Sequence, residues 1–310
     1  MCKTDPVFLF VNAIFANFAL IMVNIRLTLA AVCLAAAATS CDFSARSKSI
    51  DAAVRSVEAA MGEDKAGEGE HLQGADIGAG QAEGLEIPVT PKGLDEQVLR
   101  RKGYTASYNK TTLIPNWVAW QLTAEHTEGA AKRPRKAFHE DEDVPTPRAT
   151  DDDYYNSGYD RGHMCPAGDN KWSEEAMYES FLFTNMCPQN SNLNRGDWNE
   201  MEQACRSWAR RFGSIYIACG PILYKGRHKT IGRNKVVVPE AFFKVVLCME
   251  GKPKAIGFIY KNAAGNRPKG DYVNTVDEVE RVTGFDFFAS LPDDVEKRVE
   301  ADCDLAEWQH

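Results

Sequence analysis

Asp160, Arg161, Gly162 and His163 set a histidine two residues after an arginine; a series of asparagines downstream ends at Asn194, and Glu202 lies beyond it. These side chains suit one kind of chemistry. Hydrolysis of a phosphodiester needs a water deprotonated, a pentacovalent charge neutralised and a leaving 3′ oxygen stabilised. A histidine that titrates near neutrality can do the first, and a metal ion with an arginine can do the other two. Magnesium keeps several of its waters and commonly takes only one or two protein groups, so one asparagine carbonyl suffices as a direct ligand. A carboxylate such as Glu202 can hold those waters from outside.

Segments 104–108 and 116–122 are rich in aromatic and β-branched residues and read as two early strands. Segments 214–219, 235–238, 242–249 and 254–260 repeat the signal between Gly, Pro, Asn and Lys. The pattern predicts an α+β fold with one central, largely antiparallel sheet and flanking helices. Ser173 can cap a helix running through Glu174 and Glu175 toward Phe181, and a longer helix is expected over 194–211, ending at Gly213. In that helix Trp198, Met201, Cys205 and Trp208 recur at three and four and form a buried face, not a base-stacking platform. Shorter helices are expected over 275–282 and 293–302. His163 then lies at a strand end or in a loop. Asn194 falls at the mouth of the longer helix, where unpaired amides and the dipole favour an anion, and asparagine also caps helices well. Glu202 and Arg206 are spaced to pair at i, i+4.

The formal net charge of −8 argues against a polyanionic partner only on average. Much of the acid lies upstream, in Glu63, Asp64, Glu68, Glu70, Asp76 and Glu83 and in the runs at 140–143 and 151–153. After the tetrad come Arg195, Arg206, Arg210, Arg211, Lys225, Arg227, Lys229, Arg233 and Lys235, enough for a local basic surface. At the other end, Arg26, the apolar stretch 27–38 and then Thr39, Ser40 and Cys41 read as an export signal over 1–41. It resembles a bacterial lipoprotein signal, with Cys41 as the lipid-carrying first residue of the mature chain and Met22 as the functional start. The apolar run 7–23 also suits a single membrane-spanning anchor. Either reading exports the domain and tethers it, in the periplasm or at the outer membrane or cell surface.

Residues 42–90 are rich in Ala, Gly and Glu and read as a flexible linker, with a marginal helix at 49–61. Cys165, Cys187, Cys205, Cys219, Cys248 and Cys303 form an even set in a compartment that permits disulfides, while individual buried thiols remain an equal reading. No C-x-x-C spacing supports a structural zinc site.

DRGH at 160–163, TNMCPQ at 184–189 and LNRGDWNEME at 193–202 together resemble the DNA/RNA non-specific endonucleases of the ββα-metal type. The likeness covers roughly 103–292 and implies an endonuclease domain over 91–310. It implies His163 as the general base, Asn194 as the direct ligand of Mg2+ (with Mn2+ as a substitute), and Glu202 as the contact to waters on the metal. Arg161 and Arg206 would bind or neutralise phosphate, and Asn185 and Gln189 would shape the site and help orient the base. An upstream arginine also belongs to the family pattern; Arg133 and Arg135 are both in reach, and Arg135 is preferred. Arg195, beside Asn194, joins Arg135 and Gln189 as a substrate contact. Asp197 departs from the pattern, placing a negative charge near the metal mouth or toward solvent. The implied activity is cleavage of DNA and RNA with little sequence preference, leaving 5′ phosphates, and no base-reading motif contradicts it. Two rival readings are a catalytically silent nucleic-acid-binding module and a soft-metal protein using His163 with Cys165 and Cys187. Oligomeric state is open, a homodimer included.

Overall fold

The computed structural model describes residues 84–309; the expected signal, the lipid site at Cys41, the helix at 49–61 and most of the linker lie outside the described residues. The chain runs β1 (Gln97–Arg100), β2 (Thr105–Asn109), β3 (Ile114–Thr123), α1 (Asp151–Tyr154), β4 (Asp160–His163), α2 (Glu174–Glu179), β5 (Met186–Gln189), α3 (Ser191–Arg195) and α4 (Asp197–Phe212). It continues through β6 (Ser214–Ile222), β7 (Lys229–Ile231), β8 (Val236–Val238), β9 (Ala241–Cys248), β10 (Lys254–Lys261), β11 (Val273–Asn274), α5 (Val276–Thr283), α6 (Asp293–Glu300) and α7 (Ala306–Gln309).

The central sheet has strand order β1-β2-β3-β6-β9-β10-β11, and every neighbouring pair is antiparallel. Both of its faces are covered, so β9 is buried at every position. Alternation along a strand sends successive side chains to opposite faces. Phe242 and Val246 join the cluster that holds Trp120, Trp198, Met201, Cys205 and Trp208, whereas Phe243, Val245 and Leu247 join the one that holds Val276, Val279 and Val299. Helix α4 therefore covers one face with the stripe expected of it, and α5 and α6 cover the other.

Ser173 accepts from the Ala176 amide at 3.3 Å and starts α2, and Thr275 accepts from the Glu278 amide at 3.1 Å and starts α5. Domain packing begins inside the stretch expected to be linker. Leu85 is buried, and Val89 and Asp286 exchange backbone hydrogen bonds of 2.8 and 3.2 Å.

One expected element differs. The helix foreseen over 194–211 is divided at Gly196, whose φ of −100° and ψ of −111° interrupt helical geometry. A Cβ there would meet the Asn192 carbonyl oxygen at 2.7 Å, so the tight junction between α3 and α4 requires glycine. Among the described residues no helix is long and apolar enough to cross a membrane.

Candidate active site

Strands β4 and β5 form a short antiparallel ribbon that pairs Asp160 with Gln189, Gly162 with Cys187 and His163 with Met186. Gly162 has no room for a side chain, because a Cβ would lie 2.4 Å from Gln189 Oε1. His163 closes β4, at a strand end as foreseen. Its ring meets Phe181 edge-on at 5.0 Å and tilts against Phe138 at 5.7 Å, and Trp198 of α4 donates to its backbone carbonyl at 3.2 Å. The Nε2 atom is buried with no protein partner. Burial first, and the Arg133 cation second, push the imidazole down to about 3, below the near-neutral titration expected of the base, so the ring is neutral but weakly basic at neutral pH.

Gln189, expected as a substrate contact, is placed differently, whereas Asn185 sits where it supports the chain beside His163. Both are fully buried and line neither cleft beside His163. Asn185 accepts from the Cys165 amide at 2.9 Å and donates to the carbonyls of Cys165 and Ser180, each at 2.8 Å. It clamps the backbone just after the base and cannot reach substrate. Gln189 fills the space under Gly162 and is a support, not a substrate contact.

Asn194 sits in α3, a five-residue turn, and not at the mouth of the long helix, so the helix-dipole argument does not apply to it. Its Nδ2 donates to Asp160 Oδ2 at 3.0 Å, which leaves Oδ1 as the atom available to a cation. Ser191 and Arg195 also bond to Asp160, at 2.7 and 3.1 Å. Burial works against the Asp160 charge, but these three bonds outweigh it and hold the carboxyl below its ordinary value. Arg195 itself remains largely exposed.

Glu202 projects from α4 into the same cleft. Burial pushes its carboxyl up to about 7, against the lowering fields of Lys244 and Arg206. The expected Glu202–Arg206 pair does not form as an ion pair. Arg206 Nη1 instead bonds the fully buried Asp169 at 2.9 Å, and Gly168 makes room for it, since a Cβ there would lie 2.8 Å from that nitrogen. Asp197 faces neither the metal mouth nor solvent: it is buried and accepts from the Asn266 amide at 2.7 Å and from the Tyr272 hydroxyl.

Sequence reading missed Lys244. It lies on β9, 1% exposed, with Nζ 4.6 Å from the Trp198 ring centroid and 5.1 Å from that of Trp120. Burial opposes its charge, yet Cys219, Cys205, Glu202 and Asp169 outweigh burial and keep the ammonium above its ordinary value. The sole signal was a lysine on the inward phase of an otherwise apolar strand.

Two adjoining clefts share His163, Asn194, Arg195 and Arg133. The larger, about 580 Å³, adds Lys171, Arg206 and Glu202, and the smaller, about 340 Å³, adds Arg161 and Asp160. Arg133, not the preferred Arg135, is the upstream arginine that lines them; its guanidinium lies 5.1 Å from the Phe181 ring and 5.2 Å from Phe138. Arg161 lies over Phe138 and Tyr154 and bonds Asp151 at 2.7 Å, so part of its charge is already engaged. A cleft of about 810 Å³ elsewhere is lined by Glu140, Asp141, Glu142, Asp143 and further acids and would repel a polyanion.

The donor set suits a hard divalent cation. Asn194 Oδ1 and the Glu202 carboxylate are oxygen donors in one cleft with a partnerless imidazole nitrogen, and a cation that keeps most of its waters needs no more. The soft-metal reading finds no support in the geometry: among the described residues His163, Cys165 and Cys187 do not gather three ligand atoms, and burial pushes both thiols well up. All six cysteines from Cys165 to Cys303 are free thiols.

Comparison with known proteins agrees with this geometry. A family model described as DNA/RNA non-specific endonuclease matches residues 81–294. Mitochondrial nuclease EXOG of Xenopus laevis is 35% identical, over 65% of this chain and 60% of that protein, so the chain spans under two thirds of that relative. Mitochondrial endonuclease G of Bos taurus is 32% identical over 63% of this chain and 70% of that protein. A crystal structure of the EndoG/EndoGI complex matches with a TM-score of 0.61 at 30% identity, covering 64% of this chain and 88% of that one. On a match that takes in more than half of its length, the chain belongs to the DNA/RNA non-specific endonuclease family.

Proposed function

We propose that this chain is a metal-dependent endonuclease that hydrolyses DNA and RNA phosphodiester bonds with little sequence preference. The observation that carries the reading is His163, with an Nε2 that finds no protein partner, lining a cleft that also presents Asn194, Glu202 and four cationic side chains, Arg133, Lys171, Arg195 and Arg206. When bound by Asn194 Oδ1, with Glu202 behind it, magnesium or manganese would stabilise charge on the phosphate and on the leaving oxygen. His163 Nε2 takes the proton from the attacking water as its oxygen bonds to phosphorus. The bond from phosphorus to the 3′ oxygen breaks, that oxygen takes a proton from a solvent water, and the products are a 5′ phosphate and a 3′ hydroxyl. Arg133 and Arg195 hold the phosphate in line, and Arg206, fixed by Asp169, adds positive potential at the cleft floor. Contacts of this kind read the backbone and not the bases.

The family, the partnerless nitrogen of His163 and the cationic cleft support this reading, and the test is direct. The mature protein is incubated with plasmid DNA and with RNA, with and without EDTA, beside His163→Ala and Asn194→Ala. Magnesium-dependent cleavage lost in both variants is expected. Unchanged cleavage by His163→Ala overturns the mechanism, and binding without cleavage under any divalent ion makes the protein a silent nucleic-acid-binding module. The same proposal has the domain exported and tethered by lipid at Cys41, on the strength of the N-terminal sequence alone. Incorporation of labelled palmitate that disappears in Cys41→Ala is the expected result, and equal labelling of both proteins would remove the anchor from the proposal.

A further inference from the structure

Far along the chain from the cleft, α5 and α6 bring three carboxylates together. Oxygen atoms of Asp277, Glu280 and Glu300 all lie within 4.8 Å of one another. Asp277 and Glu280 are three apart on α5 and so share a face, and Glu300 comes from the last turn of α6. Three like charges at that range would repel strongly, so without a cation at least one of the carboxyls keeps its proton. Among the described residues none of the three is in a salt bridge, and after burial itself the groups acting on Glu300 are Glu280, Glu296, Asp277 and Asp286, every one an acid.

The second observation is Glu300 itself. It is 5% exposed, its Oε1 is buried with no hydrogen-bond partner, and its carboxylate lies within 4.8 Å of the other two. A buried carboxylate oxygen left without a partner is destabilising, so such a group calls for something that satisfies it. Glu280 is only partly committed, with Oε1 accepting from the Phe287 amide at 2.7 Å. Burial and the surrounding acids push Glu280 up to about 7 and Glu300 up to about 9, as expected of carboxylates held together without a counter-charge.

We propose that Asp277, Glu280 and Glu300 form a site for a hard divalent cation of the calcium type, separate from the nuclease cleft. The donors are all oxygen, with no imidazole or thiolate to favour zinc or copper. Calcium binds oxygens at 2.3–2.6 Å, so two ligands on one ion stand up to roughly 5 Å apart, which accommodates the spacing here. Asp277 is exposed, so waters can complete the coordination shell from that side. The role that follows is structural. Val276, Val279 and Val299 anchor the two helices in the core cluster on the sheet face opposite α4, and a cation between their acidic ends clasps them there.

The test uses the full chain carrying Asn194→Ala, which removes the direct ligand at the cleft, with Ca2+ alone as the probe. One Ca2+ per chain by calorimetry and a rise in Tm of roughly 5–10 °C at a hundredfold excess over Kd are expected. Adding Glu300→Gln, which resembles the protonated acid but cannot ionise, should leave Tm in EDTA little changed while the response to Ca2+ disappears. Asp277→Asn, on the exposed side and safe for folding, should weaken Ca2+ binding about tenfold or more. In the chain with Asn194 intact, Glu300→Gln should leave magnesium-dependent cleavage unchanged. Undiminished Ca2+ binding by Glu300→Gln, or no Ca2+ bound once Asn194 is replaced, overturns the site.

Discussion

Asn194 donates its side-chain nitrogen to Asp160 at 3.0 Å, and that bond decides which end of the amide faces the cleft. Asp160→Ala removes the acceptor and frees the amide to turn. Groups that orient a metal ligand commonly contribute about 10–100-fold in affinity or activity. Half-maximal cleavage should need correspondingly more Mg2+, with saturating Mg2+ restoring part of the rate. A Mg2+ titration indistinguishable from wild type would show that the bond does not orient the ligand.

The neutral state of His163 has a consequence for stability. Its folded pKa of about 3 lies below the ordinary 6.5, so on acidification the unfolded chain takes up the proton first. The stabilisation is fully present above about 6.5 and is lost as pH falls toward 3. His163→Gln should therefore lose less stability than wild type between pH 7 and pH 5 in urea unfolding. Parallel losses in the two proteins would mean that the imidazole titrates normally.

Lys244 holds down the pKa of Glu202, so Lys244→Met should move the acid limb of the pH–rate profile to higher pH and lower the rate at pH 7. Removing one partner from a buried charge network also destabilises by about 3–5 kcal/mol. Lys244→Arg keeps the charge and should restore the profile even where stability is reduced. An acid limb that stays in place in Lys244→Met would leave the lysine a purely structural role.

The two upstream arginines should separate cleanly. Arg133 lines both clefts beside His163, and Arg135 lines neither. Arg133→Ala should raise KM for DNA roughly tenfold and reduce the salt slope of binding by about one. Arg135→Ala should change neither, and equal effects of the two would contradict the placement.

That His163, Asn194 and Glu202 share one cleft was legible because the surrounding motif is local. The buried stripe of α4 was legible because helical periodicity is local too. Pairings across long separations were not. The i, i+4 rule offered Glu202 to Arg206, but Arg206 reaches Asp169, which a 3₁₀ turn delivers from elsewhere in the sequence. Lys244 looks from sequence like a lysine free to reach solvent, and only the strand's phase turns it inward. Gly196 reads as one tolerable glycine within a helix. Its effect depends on a backbone collision with Asn192 that no propensity scale records. Arg133 and Arg135 have the same chemistry and differ only in direction.

The wiring of the site also has a bearing on how the chain reaches its folded form. The bonds that tie His163, the turn that carries Asn194 and the long helix together close short loops, with Asn194 to Asp160 spanning 34 residues and Trp198 to His163 spanning 35. The centre of the sheet instead joins β3 to β6, as in Gln121 to Ser214, 93 residues apart. Each doubling of loop length adds about 0.6 kcal/mol of closure entropy, so the ribbon and its helix meet at the smaller entropic cost. The site is thus held by short loops, and so is Lys244, whose strand meets β6 at Cys219, so among the described residues the β3–β6 seam is the one pairing of the central sheet that must be closed across a long stretch of chain.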